Sequence, residues 1–176
     1  TYTEYYYDPN GGSSTTTAIV GSYVVGGTGV TKTITTNPFN HNNTNTFIKT
    51  DRNFTVAGTK FIIKNVPGTT PVKNRIGVNV AGGTLTLKNS DNAAATTFDI
   101  NDSENAGVLV SSGTLYSNNS VFNVNGGGSA KNIGILNKDN VTLNSNTFKI
   151  TGGESTGIVN ENGKTLSVIG GTFTVG

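Results

Sequence analysis

The stretch SVFNVNGGG, residues 120–128, sets Phe122 and Val124 two positions apart around a polar Asn123 and then runs into three glycines. The same phrase returns as TTFDIND at 96–102, NTFKITGG at 146–153 and GTFTVG at 171–176. Phe61, Phe98, Phe122, Phe148 and Phe173 are separated by 37, 24, 26 and 25 residues. Each is followed two positions later by Ile63, Ile100, Val124, Ile150 or Val175. The spacing is a period near 25 with one insertion.

Two further series share this period. Seven residues before the Phe stand Phe54, Leu115, Val141 and Leu166, and Leu85 joins them if about six extra residues within NSDNAAAT bulge out before Phe98. A Gly followed by an apolar residue recurs as Gly77-Val78, Gly107-Val108, Gly134-Ile135 and Gly157-Ile158. Each repeat therefore holds three short alternating segments with Gly, Asn, Ser or Asp at the corners. Alternation puts residues i and i+2 on one face of a strand, so Phe and the following Val or Ile face inward. Asp99, Asn123, Lys149 and Thr174, between them, face water.

A three-strand unit of this size cannot bury its own apolar face, whereas a stack of such units can. The sequence thus predicts an all-β fold: a single-stranded parallel β-helix of about 25 residues and three short strands per rung, like residue stacked on like. A β-sandwich is the rival arrangement, but it does not require equal Phe intervals. Helices are disfavoured by an apolar spacing of two and by the density of Gly, Thr and Asn.

Residues 47–176 read as regular rungs. Residues 1–46 read as an N-terminal cap with irregular first rungs: strand-like alternation at 17–36 follows a Tyr-rich start, TYTEYYYDPNGGSS. Residues 37–46 and 66–75 read as loops. The chain opens on Thr1 without Met or leader, and its pattern stops at Gly176 without a polar cap. It therefore reads as excised material, the first rungs of a longer protein.

Composition excludes several classes. Only 12% of residues are charged and the net charge is +2, with no basic run, which argues against nucleic acid. No apolar stretch approaches the length of a membrane span. The absence of Cys removes disulfides and thiolate metal sites. A polysaccharide-cleaving β-helix would want acidic residues on neighbouring rungs, but the Asp99 column continues as Asn123 and Lys149. DINDSEN, residues 99–105, clusters three acids without the spacing of a calcium loop, so it reads as solvated turn. His41 is the only histidine and has no second metal ligand beside it. No catalytic residue, metal site or cofactor is expected. The five Asn-x-Ser/Thr sequons, at Asn42, Asn53, Asn101, Asn118 and Asn140, match chance in so Asn-rich a chain. Asn137 and Asn160 fall at one corner of successive rungs and are expected to hydrogen-bond along the axis.

The candidate partner-binding residues lie in the Tyr-rich start and the loops: Tyr5, Tyr6 and Tyr7, Phe39 and His41, and Lys73 and Arg75. The tyrosines have a second reading as a cover for the open end of the solenoid. The loops have one as tolerated surface length.

The Cys-free rungs GVLVSSGTLYSNNSVFNVNGGG and GIVNENGKTLSVIGGTFTVG resemble passenger domains of bacterial type V autotransporters and related β-helical adhesins, over about residues 47–176. The resemblance implies a right-handed β-helix, secreted and displayed on the bacterial surface, continuous with further rungs and an outer-membrane barrel. It also implies a non-enzymatic adhesin or adhesin stalk whose partner is a host-cell or bacterial surface protein or glycan. The alternative is a polysaccharide-acting β-helix enzyme or phage tailspike fragment. Ice binding through a flat Thr array is disfavoured because TKTITT does not recur from rung to rung.

Overall fold

The computed structural model describes residues 4–6, 16–17, 24–26, 31–34, 46–50, 53–58, 60–63, 75–89, 95–101, 104–126 and 131–176. Two short strands, β1 (Glu4–Tyr6) and β2 (Thr16–Thr17), precede the coils. The first coil contributes β3 (Val24–Gly26) and β4 (Thr31–Ile34), and the next β5 (Thr46–Thr50), β6 (Phe54–Ala57) and β7 (Lys60–Ile63). Then come β8 (Arg75–Lys88) with β9 (Thr97–Asn101), and β10 (Asn105–Asn118) with β11 (Val121–Asn125). The last two coils are β12 (Ile133–Asn137), β13 (Asn140–Asn144) and β14 (Thr147–Thr151), then β15 (Thr156–Asn160), β16 (Thr165–Ile169) and β17 (Thr172–Val175).

Every coil-to-coil pairing is parallel, and the described residues contain no helix. The fold is a β-helix with three faces. The first stacks β5, β8, β10, β12 and β15. The second stacks β3, β6, the C-terminal halves of β8 and β10, β13 and β16. The third stacks β4, β7, β9, β11, β14 and β17. The 14-residue strands β8 and β10 run through the corner between the first two faces, with register shifts around Ser112. Parallel pairing extends upstream of the Phe-bearing rungs, since Val24–Gly26 and Thr31–Ile34 stack on Phe54–Ala57 and Lys60–Ile63.

The three sequence series are three files of the stack. Phe61, Phe98, Phe122, Phe148 and Phe173 pair in register. Their rings lie parallel, with centroids 4.7, 5.1, 4.8 and 4.8 Å apart. The 4.7–4.9 Å separation of hydrogen-bonded strands is also a favourable distance for offset aromatic stacking. Leu85 does join the second file, paired with Phe54 on one side and Leu115 on the other. Inside the stack both files are sealed from water, with Phe61, Phe98, Phe122, Phe148, Leu85 and Leu115 fully buried, whereas Phe173 in the last described coil is 48% exposed.

The glycine file beside Val78, Val108, Ile135 and Ile158 has a steric cause. A Cβ on Gly107 would lie 2.8 Å from the carbonyl oxygen of Gly134, 2.9 Å from Ile100 Cδ1 and 3.3 Å from Phe98 Cδ1. Only a hydrogen atom fits between the coils there. Gly107→Ala is expected to lower stability by about 1–3 kcal/mol, as overpacking does in a rigid core. Thermal melting followed by circular dichroism checks it.

Corners close on buried amides. Asn137 donates from Nδ2 to Asn160 Oδ1 at 2.6 Å and to the Thr165 carbonyl at 2.9 Å, while its Oδ1 accepts from Asp139 N at 3.0 Å. This is the expected rung-to-rung amide pair. Asn146 fills the corner between the second and third faces, where its Oδ1 accepts from Ser117 Oγ (2.7 Å) and Ser120 N (3.1 Å). Its Nδ2 donates to the Ser117 carbonyl at 2.7 Å. At this corner of the last three coils the chain turns through the left-handed region, at Asn119 (φ 49°), Ser145 (φ 54°) and Gly170 (φ 63°). Asn and Gly are the residues that tolerate this conformation best.

Candidate binding face

Because side chains alternate in and out, each face of the solenoid presents files of outward residues whose chemistry can be compared directly. On the third face these files satisfy one another. Asn123 Nδ2 donates to Asp99 Oδ1 at 2.6 Å, and Lys60 Nζ lies 3.0 Å from Asp99 Oδ2. Beside them Asn125 Nδ2 donates to Asn101 Oδ1 (2.8 Å) and Thr151 Oγ1 to Asn125 Oδ1 (2.9 Å). This face spends its hydrogen-bonding groups on holding coils together.

The first face is partly apolar outside as well as inside. Ile76, Ala106 and Ile133 form one outward file and Leu109 and Leu136 another. Between the files lies a shallow cavity of about 340 Å³, edged by Glu104 and Lys131. Lys131 is engaged by Glu154 at 3.2 Å.

The second face differs from both. Thr86, Tyr116, Thr142 and Ser167 pair across successive coils, as do Thr84, Thr114, Asn140 and Thr165. Asn118 and Asn144 pair at the next outward position. The intervening Leu85, Leu87, Leu115, Ser117, Val141 and Leu143 are buried. The hydroxyls of Thr86, Thr114, Tyr116 and Thr142 and the side-chain amides of Asn118 and Asn140 make no hydrogen bond among the described residues. Their donors and acceptors are left to solvent. Tyr116 stands at the centre of this grid with 45% of its surface exposed. Of the nine outward positions 84, 86, 88, 114, 116, 118, 140, 142 and 144, one carries a charge, Lys88.

The residues singled out in the sequence sit elsewhere. Tyr5 and Tyr6 belong to β1, whose backbone pairs antiparallel with β2 and with Ile48 and Lys49 of β5. They therefore lie on an antiparallel pair at the edge of the first-face sheet, a position that blunts further parallel addition there. Arg75 is the first residue of β8, paired with Asn105, and so belongs to a strand and not to the preceding loop. Tyr7, Phe39, His41 and Lys73 lie outside the described residues. Tyr116 escaped the sequence reading although its signal was present: in GTLYSNN an aromatic occupies the wet position of an alternating strand.

Four carboxylates among the described residues are individually engaged. Asp99 is held by Lys60 and Asn123, and Asp139 accepts from Gly113 N at 2.5 Å. Glu154 and Glu161 face Lys131 and Lys138, each at 3.2 Å. Such exposed pairs contribute little to stability, and each sits on an inter-coil step, where it adds to the match between rungs. No family model, curated protein or solved structure matches the chain.

Proposed function

We propose that the chain is a non-enzymatic binding module: a segment of a secreted bacterial surface protein of the autotransporter type, acting as an adhesin or adhesin stalk toward host cells or other bacteria. The observation that carries this reading is the second face, where hydroxyl and amide groups stand on a rigid, fully packed core and are not consumed by the fold. Side chains fixed in this way lose little entropy when a partner arrives. The same rigid columns suit a stalk, since each coil repeats the backbone pairing and the inward Phe file of the one before. It is this surface and not the β-helix itself, a fold that hosts many activities, that supports the reading.

The chain immobilised on beads is expected to retain epithelial or bacterial cells above an albumin-coated control, and soluble chain is expected to compete that retention away. Beads that hold no more cells than the control would sink the proposal. So would release of reducing ends from a polysaccharide panel, which would install the tailspike-like enzyme in its place. An ice-binding reading fits less well, because the Tyr116 ring projects from the middle of the hydroxyl grid and interrupts the flat surface that lattice matching needs.

A further inference from the structure

We infer that the second face binds a neutral polysaccharide. The exposed ring of Tyr116 is the plate on which a sugar stacks, and Thr86, Thr114, Thr142, Asn118 and Asn140 are its hydrogen-bonding frame. This names the partner of the binding reading above and rests on it.

Three observations choose the ligand class. First, a pyranose presents an apolar C–H face and a rim of hydroxyls, each both donor and acceptor. The second face offers the complement: one aromatic plate, 45% exposed, among hydroxyls and primary amides that bond to nothing else among the described residues. A protein partner would call for a cluster of apolar anchors at the centre of the patch, and here the centre holds a single ring, with Ile169 exposed beyond Asn144 at the margin. Second, the grid is almost uncharged, with Lys88 at its margin, so an acidic glycan would find no cationic cluster to offset its desolvation. The carboxylate immediately before β13, Asp139, is held by the Gly113 N–H. Third, the frame is stiff and periodic. Thr is restricted at χ1 by its β-branch, and the flanking hydroxyls of Thr86 and Thr142 are in register with Tyr116 on neighbouring coils, about 4.8 Å to either side. A ligand laid along the solenoid axis meets a hydroxyl at each step, from Thr86, Tyr116, Thr142 and Ser167 in turn, with one ring among them.

The test is a printed glycan array probed with the 176-residue chain, carrying glucan, mannan, galactan and N-acetylglucosamine oligosaccharides beside sialylated and sulfated ones. Calorimetric titration with the best-bound neutral oligosaccharide follows. Binding to a neutral glycan that survives high salt is expected. Tyr116→Ala should weaken it at least about tenfold, as truncating an aromatic anchor does, while Tyr116→Phe keeps the plate and should stay within about threefold. Thr86→Val with Thr142→Val, which preserves shape and deletes two hydroxyls, should also weaken binding. Lys149→Ala on the third face should not. Each variant is expected to melt with the parent chain, because the altered groups face solvent. The inference is overturned if no neutral glycan binds, if binding is confined to acidic glycans and disappears in salt, or if Tyr116→Ala binds like the parent. Bead retention of cells that Tyr116→Ala leaves intact would discard this face while keeping the adhesin reading. Loss of retention by the parent chain would discard both.

Discussion

Phe122→Ala is expected to destabilise the chain by about 3–5 kcal/mol, the range for emptying a fully buried aromatic site. Phe122 has no exposed surface and lies between two other rings, 5.1 Å from Phe98 and 4.8 Å from Phe148. Its removal therefore opens a ring-sized gap and breaks two stacking contacts at once, and strands held at hydrogen-bonding distance cannot collapse to fill it. Chemical denaturation measures the loss. Because each coil touches only its neighbours, hydrogen exchange should accelerate most in Thr97–Asn101 and Thr147–Thr151, and least in Lys60–Ile63. A loss below about 1 kcal/mol, or exchange raised evenly along the chain, would contradict a file of rings as the organising core.

Asn146→Ala acts through polarity instead of volume, and its expected cost is about 3 kcal/mol or more. The amide answers the Ser117 hydroxyl, the Ser120 N–H and the Ser117 carbonyl, all at a corner where Ser117 and Ser120 have no exposed surface. Deleting it strands these groups without solvent, at roughly 1–3 kcal/mol for each buried group left unpaired. A double-mutant cycle isolates the cause. Ser117→Ala removes one of the groups that would be orphaned, so the pair should cost clearly less than the sum of the singles. Strict additivity would mean that the corner is held by something other than this amide.

The architecture was legible because the core residues obey one rule throughout: Phe, then Val or Ile two positions on, at intervals of 24 to 26 residues from Phe98 onward. Stacking forces like onto like, so a three-dimensional contact is written as a one-dimensional period. Even the irregular member was placed, since Leu85 pairs with Leu115 despite the longer path to Phe98. The binding face was harder to see. Its signal is the recurrence of GTLTL, GTLYS, DNVTL and KTLSV, and hydroxyls are common enough in this chain that their register carries no contrast until the coils are stacked. What separates the second face from the third is whether neighbouring side chains bond to each other. Asn123 and Asn118 look alike in sequence, yet the side-chain amide of one is tied to Asp99 and that of the other makes no hydrogen bond among the described residues.

Parallel pairing at every step orients the inter-strand hydrogen bonds along the long axis of the solenoid, roughly perpendicular to the strands. A tensile load on the ends of the polypeptide then peels the outermost turn bond by bond, while each interior turn spreads the same load over all of its inter-strand hydrogen bonds at once. Extension should proceed in discrete releases of one turn, each freeing up to about 85 Å of contour for some 25 residues. The molecule would yield as a ratcheting tether, shedding length under stress while the remaining turns, and the surface they display, stay intact.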